Sequence, residues 1–178
     1  MTVNVVKISF DEIKEIWSNE LWPGRKDVNP FSTMLPYGGN DIDMDKIARP
    51  VFIAVMHDDL LAGVNSVHYT GHGMARSRGL YVRPAYRGKG YGVTLLNESK
   101  KAARDEYNAD YLWSLPKKSG WKTYSAADFV KYSDWLSGFE YGPKWIVCAL
   151  SSCFIYFIDD LNKLPPLFTS LHYLGFQQ

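Results

Sequence analysis

The chain has 178 residues, of which 46% are hydrophobic and 22% are charged. That composition is typical of a folded globular protein and argues against disorder, and the length predicts a single domain over residues 1–178. Lysine and arginine number 20 against 19 acidic residues, so the formal net charge is +1. Nucleic-acid-binding domains carry a marked basic excess, and the charge therefore argues against a nucleic-acid partner.

The two cysteines, Cys148 and Cys153, are too few for a disulfide framework or a zinc knuckle. They are five residues apart in a predicted strand and would face opposite sides of it. The longest apolar run, Trp145 to Ile158, is shorter than the roughly 20 residues of a membrane-spanning helix. The N-terminal residues lack the apolar stretch of a signal peptide. We therefore expect a cytoplasmic protein with no metal site and no membrane partner.

Alternating apolar residues predict a first strand over Val3–Ser9. Ser9 and Glu12 then have the spacing of a capping box, which indicates a helix that begins after Ser9 and ends before Pro23-Gly24. Residues 22–50 are rich in Pro, Gly and Asn, so they form either a surface loop or a loop that contains a short helix.

The middle of the chain is predicted to form an antiparallel meander of strands followed by a helical crossover to a parallel strand. Turn residues at Asp58-Asp59 and at Thr70 to Gly73 separate three predicted strands, and a helix then leads to a further strand that is parallel to the last of the three. The predicted bounds are Val51–Met56, Leu60–Tyr69 and Met74–Val82 for the meander, Gly92–Tyr107 for the helix and Tyr111–Leu115 for the parallel strand.

The C-terminal part is predicted to contain a short helix at Trp121–Ala127 and two more strands, Phe129–Trp135 and Trp145–Cys153. A tail over 159–178 follows. Strands and helices in this order predict a mixed α/β (α+β) domain with a mostly antiparallel sheet of about seven strands, flanked by helices.

Three glycines alternate at the point where the third meander strand gives way to the helix: Gly88, Gly90 and Gly92. Glycine lets backbone N–H groups turn inward, and the first turn of a helix adds free N–H donors and a positive dipole end. Arg87 and Lys89 lie among the glycines, and three further arginines lie just upstream. These features predict a phosphate-binding loop; the alternative is a tight turn that merely needs glycine. The upstream arginines are Arg76, Arg78 and Arg83.

The spacing selects among phosphate-binding motifs. No Lys-Ser or Lys-Thr pair follows the glycines, as a nucleotide P-loop requires, and Val93 stands where a dinucleotide fingerprint needs glycine. The pattern Arg-x-x-Gly-x-Gly is met by Arg87, Gly90 and Gly92. With the preceding strand, this segment resembles the pyrophosphate-binding motif of the GNAT superfamily of acyl-CoA-dependent N-acyltransferases.

A second element supports the resemblance. Tyr124, followed by Asp128-Phe129, is similar to the family's Tyr-x-x-x-Gly-Phe element, with Asp128 in place of glycine. Lys117 stands where relatives often carry a coenzyme-binding asparagine. The resemblance implies a GNAT-like fold whose coenzyme-binding core covers about residues 51–135, with a C-terminal strand and tail over 145–178, and whose fourth and fifth strands splay apart.

The resemblance also implies a function and its residues. The protein would be an N-acetyltransferase that uses acetyl-CoA as co-substrate, and the amine would attack the thioester directly. Tyr124 would be the general acid that protonates the departing thiolate. The pantetheine arm would pair with backbone groups of Leu80, Tyr81 and Val82, and the pyrophosphate would be held by N–H groups of Arg87, Gly88, Lys89, Gly90, Tyr91 and Gly92.

The general base and the acceptor stay open at this stage. The predicted fourth strand carries no acid, so His68 and His72 are candidate bases because imidazole titrates near neutrality, and Glu140 and the Asp41–Asp45 stretch are alternatives. The acceptor is a small-molecule or peptide amine, whose selection the resemblance would assign to residues 22–50 and to the Phe139–Trp145 loop. The apolar run and the tail are suited to a homodimer interface. A non-catalytic acyl-CoA-binding module of the same fold is the alternative function.

Overall fold

The computed structural model describes residues 2–24, 49–71, 73–135 and 147–150. Its strands form one seven-stranded sheet in the order β1-β2-β3-β4-β5-β7-β6. The strands are β1 (Val3–Ile8), β2 (Val51–His57), β3 (Leu60–Gly71), β4 (Met74–Val82), β5 (Tyr111–Ser114), β6 (Val130–Lys131) and β7 (Val147–Leu150). The helices are α1 (Phe10–Ile16), α2 (Tyr91–Tyr107) and α3 (Trp121–Ser125).

Strands β2 to β4 form the predicted antiparallel meander, and β1 extends it by pairing antiparallel with β2. The β2–β3 turn contains no glycine, yet Asp58 and Asp59 both have positive φ, at 46° and 63°. Positive φ at both central residues gives a two-residue hairpin the twist that matches its strands, and aspartate tolerates that conformation. The turn predicted from Asp58-Asp59 is therefore confirmed.

The sheet is covered on both faces. Alternate residues of β2 supply the two cores: Val51, Ile53 and Val55 pack with α2 and α3, whereas Phe52 and Ala54 pack with α1. This alternation follows from the period of two in a strand.

Helix α1 begins with the predicted capping box. The Ser9 side chain accepts from the Glu12 N–H, and the Glu12 carboxylate accepts from the Ser9 N–H at 2.7 Å. A π-helical turn, Trp17–Leu21, follows α1 directly. It carries the indole of Trp17 onto the sheet, where Trp17 Nε1 donates to the carbonyl oxygen of Gly79 at 2.9 Å.

Strand β4 is irregular where Trp17 meets it. The β3–β4 register shifts between Val64 and Ser66, so β4 holds one more residue than β3 over this interval. Gly79 has φ of 71°, and a Cβ at this position would overlap the Trp17 ring. Such a bulge bends the strand and re-aims the residues that follow.

Strands β4 and β5 are parallel, as the crossover predicts, but they pair over a short stretch. The pairs run from Met74↔Tyr111 to Arg76↔Trp113. Beyond Arg76, β4 continues to Val82 along β3, and among the described residues it has no ladder partner on its β5 side. The splay implied by the family resemblance is therefore present, and we call the space between the separated ends the β4–β5 gap.

The strand predicted at Phe129–Trp135 is wrong in length, since β6 has two residues. Phe129 is held instead by the end of α3, because its N–H donates to the Tyr124 carbonyl oxygen at 3.1 Å. His72, Glu140, Cys153, the Asp41–Asp45 stretch and the tail lie outside the described residues.

No helix among the described residues is long and apolar enough to cross a membrane. In the same part of the chain, no group of three or more His, Cys, Asp or Glu side chains is placed to hold a metal ion. The cytoplasmic location and the absence of a metal stay predictions.

Candidate active site

The glycine loop joins the end of β4 to the start of α2. Gly88 and Gly90 have φ of 78° and 83°, the left-handed region that glycine adopts readily. A Cβ at either position would meet nothing within 4 Å, so the loop faces open space there. Residues 87–90 are exposed. The loop therefore presents backbone to an accessible region at the N-terminus of a 17-residue helix, where free N–H groups and the helix dipole favour an anion.

Gly92 has a different reason to be glycine. It lies in the first turn of α2, and a Cβ there would come within 2.7 Å of Thr123 Cγ2 on α3. The third glycine of the motif thus lets the two helices approach closely, whereas Gly88 and Gly90 set the path of the loop. This contact brings α3, which carries Tyr124, next to the glycine loop.

The cations of this region divide into two groups. Arg87 and Lys89 lie in the loop; Arg87 Nε donates to the Val82 carbonyl oxygen at 2.9 Å, and Lys89 Nζ lies 5.6 Å from the Tyr86 ring centroid. Their positive charge flanks the exposed glycine backbone, where a phosphate would be attracted.

The upstream arginines serve other contacts, contrary to the interpretation that they add to the phosphate site. Arg83 pairs with Glu20 at 2.9 Å. The guanidinium of Arg78 is buried on the α1 side of the sheet, 5.3 Å and 4.7 Å from the rings of Trp17 and Trp22. Arg76 lies over the Trp113 ring at 4.9 Å. Sequence proximity to the glycines did not predict these directions, because β4 points alternate side chains to opposite faces.

The three residues predicted to pair with a pantetheine arm lie along the gap. Leu80, Tyr81 and Val82 are the last residues of β4, beyond the point where β5 stops pairing. Tyr81 and Val82 pair with β3 on their other side. One edge of this segment thus faces the gap, although the Val82 carbonyl oxygen already accepts a hydrogen bond from Arg87.

Tyr124 lies at the apex of the β4–β5 gap. Its phenol oxygen is 3.0 Å from Ser114 Oγ, and Ser114 Oγ donates to the Ser77 carbonyl oxygen at 2.9 Å. Ser77 is the first β4 residue after the last β4–β5 pair, and Ser114 is the corresponding residue of β5. The Ser114 hydroxyl therefore links β5 to β4 one residue beyond their last ladder pair, and the Tyr124 phenol contacts that hydroxyl.

Tyr124 is 5% exposed and packs edge-on against Phe129 at 5.1 Å between ring centroids. Burial raises the pKa of its phenol above the usual value, and hydrogen bonding to Ser114 and Ser77 and the charge of Arg76 act in the opposite direction. The phenol is therefore protonated at neutral pH, which is the state a general acid needs.

A buried polar chain extends from Tyr124 into the core. Asn65 Nδ2 donates to Ser77 Oγ and to Ser99 Oγ, each at 2.8 Å, and Ser99 Oγ donates to the Leu95 carbonyl oxygen at 2.7 Å. Sequence reasoning missed all of these residues. They come from β3, β4 and α2, and single serines on strands and helices carry no spacing signal.

His68 is 1% exposed, on the α1 side of the sheet against Phe52. Ser66 Oγ donates to the Arg78 carbonyl oxygen at 2.8 Å, so the 2.7 Å contact between Ser66 Oγ and His68 Nε2 has the imidazole as donor. Burial, and then the charges of Arg78 and Arg76, lower the pKa of His68 to about 3. A base this weak and this buried is poorly suited to take a proton from an amine, and its role as general base stays a prediction.

The two departures from the family pattern have different outcomes. Asp128 adopts φ of 62°, so the backbone keeps the left-handed conformation that glycine would give. Lys100 Nζ supports this turn through the Ala127 carbonyl oxygen at 3.0 Å and the Asp128 carboxylate at 3.4 Å. Lys117, which stands where relatives often carry the asparagine, is exposed.

A sheet whose parallel pair separates beside a glycine loop and a helix N-terminus is the architecture expected for acyl-CoA-dependent N-acyltransferases. The family model described as the acetyltransferase (GNAT) family matches residues 15–127. The chain therefore belongs to the GNAT acetyltransferase family. A comparison with curated proteins gives no match.

Solved structures share the fold at low sequence identity. A protein from Lactobacillus plantarum, provisionally described as an N-acetyltransferase, is 11% identical with a TM-score of 0.62, covering 85% of this chain and 100% of that one. A point mutant of spermidine N-acetyltransferase from Vibrio cholerae is 15% identical with a TM-score of 0.62, covering 84% and 94%. The dodecameric structure of the Vibrio cholerae enzyme is 16% identical with a TM-score of 0.61, covering 84% and 94%. At these identities the likeness shows the fold.

Proposed function

We propose that this protein is an acetyl-CoA-dependent N-acetyltransferase that acts on a small-molecule or peptide amine. The observation that carries the proposal is the order of three parts along the path of β4: the phenol of Tyr124 where the β4–β5 pairs end, the edge of β4 that has no β5-side partner among the described residues, and the exposed glycine loop at the start of α2. An elongated ligand with a phosphate group at one end and a reactive group at the other would follow this path.

Each part has a chemical task in the proposed reaction. The N–H groups of the loop and of the first turn of α2 bind the pyrophosphate, and the gap edge of Leu80 to Val82 aligns the pantetheine arm as a strand partner. Bound acetyl-CoA supplies an acetyl group activated as a thioester. Tyr124 protonates the departing sulfur as general acid.

Direct attack by the amine is favoured over a route through an acyl-cysteine. Cys148 is the free cysteine of the described residues; it is 4% exposed, and burial raises the pKa of its thiol to about 12. A thiol in that state is a poor nucleophile, because the thiolate is the reactive form.

The first test is a calorimetric titration with acetyl-CoA. We expect wild-type protein to bind at micromolar concentrations and Gly90→Glu to lose binding, because a carboxylate would occupy the open side of the loop and repel the pyrophosphate. Gly71→Glu is the matched control: Gly71 has φ of 88° and open space around its Cβ position, but it is the last residue of β3 and pairs with Met74 at the start of β4. Equal loss in both variants, or no binding by wild type, would contradict the proposal.

Turnover separates the enzyme from an acyl-CoA-binding module of the same fold. Release of the coenzyme A thiol is measured with spermidine, an amino acid, an aminoglycoside, a lysine peptide and a peptide with a free N-terminus. Binding with no thiol release over this panel would favour the module, for which the lack of an acid on β4 is the supporting observation. A homodimer stays a prediction beside either function.

A further inference from the structure

The hydroxyls around Tyr124 can form hydrogen bonds with its phenol both when the phenol is neutral and when it is ionised. Tyr124 and Ser114 are both buried, at 5% and 3% exposed, between the apolar core and the polar side chains of Ser77 and Asn65. A buried ionised phenol without donors would be strongly unfavourable. The inference below rests on the proposed role of Tyr124 as general acid.

The number of available protons determines which group donates in each hydrogen bond of the resting state. Ser114 Oγ has one proton, which it donates to the Ser77 carbonyl oxygen at 2.9 Å. In the 3.0 Å contact between Ser114 and Tyr124, the phenol must therefore be the donor. In the resting state the phenol thus donates its hydrogen bond to Ser114, and this bond holds the phenol at the apex of the gap.

The directions reverse when the phenol loses its proton. Rotation about the Cβ–Oγ bond of Ser114 turns its proton from the Ser77 carbonyl oxygen to the phenol oxygen, and a hydrogen bond to an ionised acceptor is about twice as strong as a neutral one. The Ser77 hydroxyl is a second donor: its oxygen already accepts from Asn65 Nδ2, which leaves its own proton for another acceptor. Burial raises the pKa of Tyr124, and hydrogen bonding to both serines acts in the opposite direction.

We propose that Ser114 is a positioning residue for Tyr124, which holds the phenol at the apex of the gap and turns its hydroxyl to the phenolate after proton transfer. The amine nitrogen bonds to the acetyl carbon, the carbon–sulfur bond breaks, and the sulfur takes the Tyr124 proton. The nitrogen releases one proton to solvent and the phenolate takes one back, so atoms and charge balance. Ser77 is the second donor, oriented by Asn65.

The test compares Ser114→Ala, Ser114→Thr and Tyr124→Phe with wild type, using acetyl-CoA and the amine of the panel above that gives the fastest turnover. We expect Ser114→Ala to lower kcat about ten- to a hundredfold, the effect of losing one hydrogen bond to a charged group, with the KM for acetyl-CoA unchanged within twofold. Ser114→Thr keeps a hydroxyl and should restore kcat to within threefold of wild type. The solvent deuterium isotope effect on kcat should rise in Ser114→Ala, because proton transfer becomes slower.

Thr70→Val is the matched control. The Thr70 hydroxyl also donates to a carbonyl oxygen of β4, that of Met74 at 3.1 Å, and it accepts from Trp113 Nε1, so it lies outside the polar chain that begins at Tyr124. We expect its kcat within threefold of wild type and its isotope effect unchanged. If Ser114→Ala does not fold, Ser114→Cys supplies a weak donor of similar volume and should lower kcat in the same direction.

The outcomes distinguish a failure of the role of Ser114 from a failure of the proposed function. Wild-type kcat and isotope effect in Ser114→Ala, together with a large loss in Tyr124→Phe, would overturn the role of Ser114 and leave the proposed function standing. Equal losses in Ser114→Ala and Thr70→Val would also overturn it, because general damage to the sheet would then be the cause. Full activity in Tyr124→Phe would refute the general-acid role itself.

Discussion

Replacing Gly92 with alanine tests whether this glycine is present for packing. The new Cβ would lie 2.7 Å from Thr123 Cγ2, well inside the carbon–carbon optimum of about 3.5–4.0 Å. Thr123 is β-branched and stiff, so α3 must shift, and overpacking of this kind costs about 1–3 kcal/mol. Alanine regains at most about 1 kcal/mol of helix propensity. We expect Gly92→Ala to lower the free energy of unfolding by about 1–2 kcal/mol and Tm by about 2–8 °C.

A second substitution isolates the contact. Thr123→Ser removes Cγ2, after which the nearest Thr123 atoms to the new Cβ are those 3.8 and 3.9 Å away, ordinary contacts. In that background Gly92→Ala should be neutral or stabilise the protein by up to about 1 kcal/mol. Gly90→Ala is the control: it has no steric neighbour but a φ of 83°, so it should cost about 1–2 kcal/mol in either background. Denaturant unfolding of the four proteins of the double-mutant cycle measures the coupling; an equal cost of Gly92→Ala in both backgrounds would refute the packing argument.

Two further predictions concern stability. Asp128→Gly should raise the free energy of unfolding by several tenths of a kcal/mol to about 1 kcal/mol, because glycine adopts the left-handed φ without strain while the exposed contact with Lys100 is weak; a lower midpoint in urea would contradict this. The pKa of His68 is about 3 in the folded protein and about 6.5 when unfolded, so the unfolded state binds more protons between these values. Stability from His68 is therefore full above pH 6.5 and falls by about 1.4 kcal/mol per pH unit towards pH 3. His68→Gln keeps a donor for Ser66 and should flatten this slope; parallel stability curves for variant and wild type would show that His68 is not the cause.

The regular elements could be predicted because their signals are local. Alternation and turn residues predicted β2 to β4 with bounds close to those observed, and the capping box at Ser9 marks the start of α1. The position of Gly90 before a helix and the spacing to Tyr124 predicted a glycine loop at the start of α2 and a tyrosine on the short helix after β5. Their approach through Gly92 and Thr123 depends on how α2 packs against α3, which no single segment encodes.

The remaining features arise from contacts across elements. The bulge at Gly79 exists because Trp17 lies against it, and the two are far apart in the sequence. Ser114 is the last residue of β5 and has no distinguishing neighbour in the sequence. Its hydroxyl becomes important because β4 separates from β5 at this point. The direction of Arg78 likewise depends on the face of β4 it occupies, which the cluster of basic residues in the sequence did not reveal.

The short contact between β4 and β5 makes the sheet two units joined by a narrow seam. One unit is β1 to β4, the other is β5, β7 and β6, and three residue pairs connect them in the described chain. Within the described residues, no strand pairs with β4 on its gap side past Arg76, and backbone amides on that side should exchange their hydrogens with solvent readily. A molecule that lies along this edge completes the ladder and protects them. Hydrogen exchange over Ser77 to Val82 therefore reports occupancy of the gap even where the acceptor is unknown.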